Sequence, residues 1–359
     1  MVSFKLLAGG YDVFVATYLF NAATSSLTLL NKSPTGRNPS WIALHPTNRS
    51  LLYAVNQESG AGSIQSFGIK TDGTLTDAID TVSSGGRSPP FVTALSTGSV
   101  AVVNYASGTG RIIPTTSEGT KFDSFAPIIT FPTPEVGTSH PHMVVENFGE
   151  VLVPDLGGDT IWRLRANPST GASDIEGSIP QPKGSGPRHI AIFNNRLFTL
   201  HELSSTLSVQ TLPDADGTSN TLAIVSIIPS SPPEGAKWAA AEILIPPPSE
   251  KFPVPYIYVS NRNKGPQTPE GDTIAIFEHV NFGQPDEGLV LVNQVYTGLD
   301  QIRGMGFGNA REGGDEYLAA AGHAGAAGVI VLQRIDGGRG LQIVARNLDI
   351  PTRTSFLWL

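Results

Sequence analysis

The chain contains no cysteine among its 359 residues. Disulfide bonds, thiolate metal ligands and a cysteine nucleophile are therefore excluded. The sequence also lacks any uninterrupted apolar run as long as a membrane-spanning helix. Residues 1–10 form too short an apolar stretch for a secretory signal, so we expect a soluble, cytoplasmic protein.

Charged residues are scarce, at 15% of the chain, and the net charge is −8. An acidic balance argues against nucleic acid or an anionic membrane as the main partner. The sequence has no P-loop, dinucleotide-binding fingerprint or Gly-x-Ser-x-Gly elbow in a strand–turn–helix context. These absences leave a small molecule as the expected partner.

Glycine and proline are abundant instead, with 39 and 28 copies. They separate short apolar runs that are rich in Val, Ile, Phe and Tyr, and no stretch sustains the apolar spacing of an amphipathic helix over several turns. This composition is typical of short strands joined by turns. It predicts an all-β fold.

A short phrase, a small or polar opening followed by alternating apolar residues, recurs seven times. The copies are residues 39–46, 89–96, 141–148, 187–194, 240–247, 302–309 and 352–359. Their starts lie 50, 52, 46, 53, 62 and 50 residues apart, a spacing that suits one four-stranded propeller blade per repeat. A sandwich or a parallel β-helix is less consistent with one phrase repeated seven times.

A second apolar run follows each of the first six copies, as in 51–56, 150–155 and 256–261. The last copy has no second run because the chain stops, whereas residues 4–10 form a second run with no first. We therefore predict that the C-terminal strand joins the N-terminal blade and closes the ring, which removes exposed sheet edges. The prediction is one seven-bladed domain over residues 1–359.

In such a blade, the start of the innermost strand and the end of the second strand lie at the same face. Ionisable and polar residues concentrate at these two places. They are His140, His142, Arg188, Glu242, Arg303 and Arg353 at the strand starts, and Gln57, Glu58, Asn104, Tyr105, Asp155, Glu202, Arg262 and His323 at the strand ends. The arginines predict a pocket for a small anionic substrate, because guanidinium groups bind carboxylate and phosphate through two parallel hydrogen bonds.

Several of these residues also have structural interpretations. Arg303 and Arg353 could form ion pairs between blades, and Asp155 could stabilise a tight turn. Asn104 could likewise be a turn residue. His140 and His142 share one face of an extended segment and could ligate a metal, but the neighbouring arginines would repel a cation. We expect no metal.

The sequence resembles the lactonase family of seven-bladed propellers, which includes bacterial-type 6-phosphogluconolactonases and fungal 3-carboxy-cis,cis-muconate lactonizing enzymes. The resemblance covers nearly the whole chain and rests on the order and spacing of several segments. These are residues 45–56, 139–143, 153–159, 186–189, 202–205 and 258–262.

The resemblance implies a metal-free, cofactor-free enzyme whose catalytic groups are a histidine, two arginines and a glutamate. They fall on His142 (or its neighbour His140), Arg188, Arg262 and Glu202. His140, Glu242, Arg303, His323 and Asn104 are then expected to bind the substrate. The sequence departs from the family pattern at Gln57, where relatives often carry glutamate, and in the glycine-rich segment 322–328.

The favoured hypothesis is hydrolysis of a sugar-acid lactone such as 6-phosphogluconolactone. Glu202 or His142 would be the general base, and the two arginines would stabilise the oxyanion. The same arginines should lower the pKa of Glu202 and keep it ionised. The alternatives are lactonization of a carboxymuconate by the same residues, and a non-enzymatic propeller that binds a protein.

Overall fold

The computed structural model describes residues 2–167, 171–213, 218–310 and 313–359. Within these residues the chain is almost entirely β-strand, with two short 3₁₀ turns at Gly314–Glu316 and Asp336–Gly338. No helix in this part of the chain is long and apolar enough to cross a membrane. The strands are β1 (Ser3–Gly9), β2 (Phe14–Asn21), β3 (Ser26–Pro34), β4 (Ile42–Leu44), β5 (Leu51–Asn56), β6 (Ser63–Gly68), β7 (Asp80–Ser83), β8 (Phe91–Ala94), β9 (Val100–Asn104), β10 (Thr109–Ile113), β11 (Ile129–Thr130), β12 (Val145–Asn147), β13 (Glu150–Asp155), β14 (Thr160–Ala166), β15 (Ser173–Pro180), β16 (Pro187–Phe193), β17 (Arg196–His201), β18 (Thr206–Thr211), β19 (Thr221–Ser226), β20 (Trp238–Leu244), β21 (Ile257–Asn263), β22 (Thr273–Val280), β23 (Gly288–Tyr296), β24 (Asp300–Phe307), β25 (Tyr317–Ala324), β26 (Val329–Ile335), β27 (Gly340–Asn347) and β28 (Ser355–Trp358).

The described strands form seven four-stranded sheets. Six of them consist of consecutive strands, from β4–β7 to β24–β27, and the seventh has the order β28-β1-β2-β3. Seven blades of four strands each are the architecture of a seven-bladed β-propeller, which confirms the predicted fold. The pairing of β28 with β1 confirms that the two chain ends share one blade.

The repeat phrase marks the innermost strand of each blade, but several of these strands are shorter than the phrase, β4 and β12 having three residues each. The phrase at residues 141–148 yields only β12, Val145–Asn147. Pro141 makes an isolated bridge to Asp155 instead, because proline has no backbone N–H with which to extend a ladder. His140 and His142 therefore lie in an extended segment before β12 rather than inside a strand.

Two compact units can be distinguished along the chain. One comprises Met1–Phe4, Leu19–Thr28 and Pro187–Trp358, and the other comprises Lys5–Tyr18, Leu29–Gly186 and Leu359. Each has apolar clusters built from inward-facing strand residues, for example Phe198, Val259 and Phe277 in the first unit and Tyr53 and Val102 in the second. Burial of such side chains contributes about 25 cal/mol per Å² of apolar surface. The expectation of a single domain stays a prediction.

Three asparagines at the ends of second strands fasten their blades in the same way. Each amide nitrogen donates to a main-chain carbonyl, and each side chain also pairs with the hydroxyl of the first residue of the next strand. The bonds are Asn56 to Arg37 O and Ser63, Asn104 to Ser84 O and Thr109, and Asn261 to Ile227 O and Thr273. All three side chains are buried. The same hydrogen-bonding role therefore recurs in three blades, and we call these bonds the fastening contacts.

Candidate active site

Charged residues of three innermost strands lie at β-bulges. In β16 the register with β17 shifts across Arg188, and in β24 the register with β25 shifts across Arg303. In β20 the shift falls at Ala241 and Glu242. A bulge inserts an extra residue opposite the partner strand and changes the direction of its side chain. The three strands thus present charged side chains that regular pairing would orient differently.

Arg188 is buried, with 1% of its surface exposed. Its Nη1 donates a hydrogen bond to the carbonyl oxygen of Ala241, and its Nε lies 3.0 Å from Oε2 of Glu202. Burial, followed by the charges of Arg262 and Arg303, lowers the pKa of Arg188 to about 9. The guanidinium therefore remains charged at neutral pH.

Glu202 is contacted by three cationic side chains. Its Oε2 lies 2.6 Å from Nη2 of Arg262 and 3.0 Å from Nε of Arg188, and its Oε1 lies 3.2 Å from Nζ of Lys264. Burial raises the pKa of the carboxyl group, but the three cations outweigh it and hold the pKa at about 2. This confirms the expected lowering, and Glu202 is ionised at neutral pH.

The backbone fixes these groups in place. The carbonyl oxygen of Glu202 accepts a hydrogen bond from the backbone N–H of Ala240. Nη2 of Arg262 donates to the carbonyl oxygen of the same Ala240 at 2.8 Å, and the ladder pairs Arg262 with Ala239. Both partners are therefore bonded to Ala240 of β20, and the ion pair connects the blade β16–β19 with the blade β20–β23.

Lys264 was not among the residues predicted from the sequence. It directly follows β21, and its backbone N–H donates to the carbonyl oxygen of Lys237. In an extended chain, residues two apart project to the same side, so the pair Arg262 and Lys264 is the pattern that could have indicated it. Its side chain is 47% exposed, whereas that of Arg262 is 4% exposed.

Glu242 and His189 form a buried pair beside Arg188. Nδ1 of His189 lies 2.8 Å from Oε1 of Glu242, and Oε1 also accepts the backbone N–H of Ile243. Burial lowers the pKa of His189, which Glu242 opposes and Arg188 reinforces. The imidazole is therefore neutral at neutral pH and donates from Nδ1 to the carboxylate.

His323 is an exposed side chain near the end of β25. Crowding by protein atoms, together with the positive charges of Arg303, Arg262, Lys264 and Arg188, lowers its pKa to about 4. Its charge at neutral pH is therefore zero. Arg303, on the neighbouring strand β24, is half-buried.

We use the name Glu202 cluster for the set Arg188, Glu202, Arg262, Lys264, Arg303 and His323. The structure brings together the predicted Arg188, Glu202 and Arg262, and the pKa of His323 reflects the charge of Arg303 and the other cations. Three cations of the cluster contact Glu202, and the carboxyl groups of Glu242 and Asp272 lie close enough to act on Arg188 and Arg262 respectively.

Arg353 lies in the first unit and is 1% exposed, and the remaining predicted residues lie in the second unit. Nδ1 of His140 lies 2.7 Å from the carbonyl oxygen of Tyr105, and the two rings stack with centroids 4.3 Å apart. Because a carbonyl only accepts, Nδ1 of His140 carries a proton in this contact. His142 is 4% exposed, and its ring lies edge-on to Tyr105 at 5.9 Å.

Asp155 holds the segment that carries both histidines. Its carboxylate accepts hydrogen bonds from Ser139 Oγ, Trp162 Nε1 and the backbone N–H groups of His140, Gly157 and Gly158. The bonds to Gly157 and Gly158 confirm the interpretation of Asp155 as a turn-stabilising residue. Its other bonds fix the backbone at His140.

The structure gives Asn104 the fastening contacts described above, with no exposed surface. Its predicted contact with substrate stays a prediction, as do the substrate contacts of His140, Glu242, Arg303 and His323. Among the described residues, no group of three or more His, Asp or Glu side chains is arranged to hold a metal ion. The absence of a metal requirement also stays a prediction.

The sequence matches one enzyme family over almost its whole length. Residues 5–355 match the family described as Lactonase, 7-bladed beta-propeller, and the chain belongs to that family. It is therefore an enzyme of the lactone-hydrolysing class. No match was found among curated protein sequences.

Three solved structures show the same fold over nearly their whole length. A protein from Lactobacillus plantarum is 22% identical with a TM-score of 0.82, and each chain is covered to 100%. A putative 6-phosphogluconolactonase from Bacteroides fragilis is 20% identical with a TM-score of 0.80, covering 99% of this chain and 98% of that one. A periplasmic gluconolactonase from Pseudomonas aeruginosa is 19% identical with a TM-score of 0.83, covering 100% and 99%. Since one relative is periplasmic, the cytoplasmic location stays a prediction.

Proposed function

We propose that the protein hydrolyses a small anionic sugar-acid lactone, such as 6-phosphogluconolactone, at the Glu202 cluster. The observation that carries this proposal is one ionised carboxylate, that of Glu202, in contact with the three cations Arg188, Arg262 and Lys264. Such a site attracts an anionic ligand and provides both a proton acceptor and oxyanion-stabilising groups. Membership of the lactonase family supports the same reaction class.

In the proposed reaction, a water molecule attacks the lactone carbonyl carbon while Glu202 accepts one of its protons. The negative charge that develops on the carbonyl oxygen is stabilised by a guanidinium group, as in an oxyanion hole. The ring C–O bond then breaks, and the leaving alkoxide takes up a proton. The overall change is lactone plus water to hydroxy acid.

The ion pairs of Glu202 have two consequences for this step. A carboxyl group with a pKa of about 2 is a weak base, but it is fully ionised at neutral pH and always available. Once protonated, it gives up the proton readily to the alkoxide. Because the buried arginines are fixed by the carbonyl oxygens of Ala240 and Ala241, little reorganisation is required as charge develops.

The histidine of the family pattern is assigned by prediction to His142 or His140. The ring of His140 has a fixed orientation, because its Nδ1 donates to the carbonyl oxygen of Tyr105 and the ring stacks on that of Tyr105. Separate His140→Asn and His142→Asn variants test the two assignments by kcat/KM. The catalytic histidine is the one whose loss lowers kcat/KM by about a hundredfold, the range of general acid–base catalysis.

The reaction is tested by offering the purified protein 6-phosphogluconolactone, glucono-δ-lactone and 3-carboxy-cis,cis-muconate, with and without a chelator. Acid release from 6-phosphogluconolactone above the spontaneous rate, unaffected by chelator, is expected. Turnover of the muconate alone would replace hydrolysis by lactonization. Loss of activity on chelation would overturn the metal-free mechanism, and no turnover of any compound would overturn the enzymatic proposal.

A further inference from the structure

The cations of the Glu202 cluster differ in how exposed their side chains are and in how many protein atoms they contact. Arg188 and Arg262 are 1% and 4% exposed, and both donate to main-chain carbonyl oxygens as well as contacting Glu202. Lys264 is 47% exposed, and its ammonium group donates to Oε1 of Glu202 at 3.2 Å. An ammonium group has three donor hydrogens, so Lys264 retains capacity to bind a ligand from solvent.

The exposed edge of the cluster is the positively charged part. Arg303 and His323 lie on adjacent strands, since their neighbours Ile302 and Gly322 are paired, and the charges of Arg303 and Lys264 both act on His323. One carboxylate, Glu202, is shared among three cations, and its second oxygen already faces Lys264. Of these three cations only Lys264 is exposed, so its ammonium group is the one that an anion from solvent can reach.

We propose that Lys264 is a specificity-determining residue, which with Arg303 and His323 binds the anionic substituent of the substrate, while Arg188 and Arg262 act on the reacting carbonyl. This inference rests on the proposed lactonase function and identifies the substrate class as lactones with a phosphate or carboxylate group. Both groups present oxygen acceptors to the lysine ammonium and the arginine guanidinium.

A competing role for Lys264 is to hold Glu202 in place. The two roles differ in what a substitution does to neutral and anionic substrates. A holding residue affects catalysis on both equally, whereas an anion-binding residue affects mainly the anionic substrate. The arginine contacts at 2.6 and 3.0 Å remain to hold Glu202 when Lys264 is replaced.

The test compares kcat/KM for 6-phosphogluconolactone and for glucono-δ-lactone in the wild type, Lys264→Met and Lys264→Arg. The ratio of the two values should fall about tenfold or more in K264M, the loss of one charge-assisted contact, and recover in K264R. Lys251→Met is the matched control, because Lys251 is an exposed lysine paired with Glu316 away from the cluster. It should leave the ratio unchanged.

An equal loss of kcat/KM for both lactones in K264M would overturn the inference in favour of the holding role. Binding of 6-phosphogluconate, measured by titration calorimetry, separates this inference from the proposed reaction. If the wild type hydrolyses neither lactone, the proposed function fails, but about tenfold weaker binding in K264M still supports anion recognition by Lys264. Equal binding by the two proteins, or none by the wild type, would overturn it.

Discussion

Replacement of Glu202 by glutamine should change the stability of the protein in a pH-dependent way. The pKa of Glu202 falls from an ordinary 4.5 to about 2 in the folded protein. Since each pKa unit corresponds to about 1.4 kcal/mol, the ionised carboxylate contributes about 3 kcal/mol to folding. A glutamine at this position forfeits that contribution and leaves Arg188 and Arg262 buried without their counter-charge.

The direction of the pH effect follows from linkage. A group whose folded pKa is depressed stabilises the protein above its unfolded pKa, here 4.5, and loses that effect as the pH falls through about 2. The difference in unfolding free energy between wild type and Glu202→Gln should be constant above about pH 6. By pH 3 it should narrow by about 2 kcal/mol.

Urea unfolding of both proteins between pH 3 and 7 measures this difference. Titrating groups remote from the cluster, including Glu287, whose pKa is also lowered to about 2, are present in both proteins and cancel. Asp272, whose pKa is about 6 and which interacts with Arg262, is replaced by asparagine in both proteins. A difference that stays constant down to pH 3 would show that Glu202 is not held by ion pairs. A difference near zero at pH 7 would refute the same reasoning.

Three further predictions concern the cluster and the blades. The imidazole of His323 should titrate near pH 4 by NMR, and Lys264→Met should raise that pKa because one repelling cation is lost. An unchanged pKa in the variant would contradict this electrostatic assignment. Gly304→Ala should destabilise the protein by about 1–3 kcal/mol in urea unfolding, since the new methyl group would overlap the carbonyl oxygen of Thr354. An unchanged stability would show that the backbone segments at Gly304 and Thr354 can move apart. Asn56→Ala should lower the free energy of unfolding by about 1–3 kcal/mol in the same assay, because two hydrogen bonds are lost, and should leave kcat/KM unchanged. A variant as stable as the wild type would contradict the structural role of Asn56.

Much of the fold follows from local sequence pattern. The second strands at residues 51–56 and 150–155 have the predicted bounds, because each is a compact apolar run that ends at a polar turn residue. The pairing of the C-terminal strand with the N-terminal strands also follows from the incomplete copies of the phrase. A continuous apolar run and the turn residue that ends it depend on neighbouring positions, so the sequence predicts them directly.

The site could be predicted only in part. Arg188, Glu202 and Arg262 lie at places where the repeat phrase meets the turns, and the structure brings their charged groups together. The bulges at Arg188 and Arg303 could not be predicted, since a bulge depends on the register with another strand rather than on local pattern.

Two other differences have equally local causes. The strand expected from residue 141 begins at Val145, because Pro141 cannot donate to the ladder. Lys264 was missed because it follows the end of β21, where a lysine is typical of solvent-exposed turns. Its role depends on contact with Glu202, which lies in a turn at the end of another strand. The sequence around Lys264 does not predict that contact.

The central claim is that Glu202 and its cations form the catalytic site of a lactonase. The most direct test is kcat/KM for 6-phosphogluconolactone in the wild type, Glu202→Gln and Glu287→Gln. Glu287 is a matched control, because its carboxylate is also buried and paired with an arginine, Arg196, at 2.6 Å. The claim predicts a loss of about a hundredfold or more in E202Q and wild-type activity in E287Q. Equal activity of folded E202Q and the wild type would contradict it.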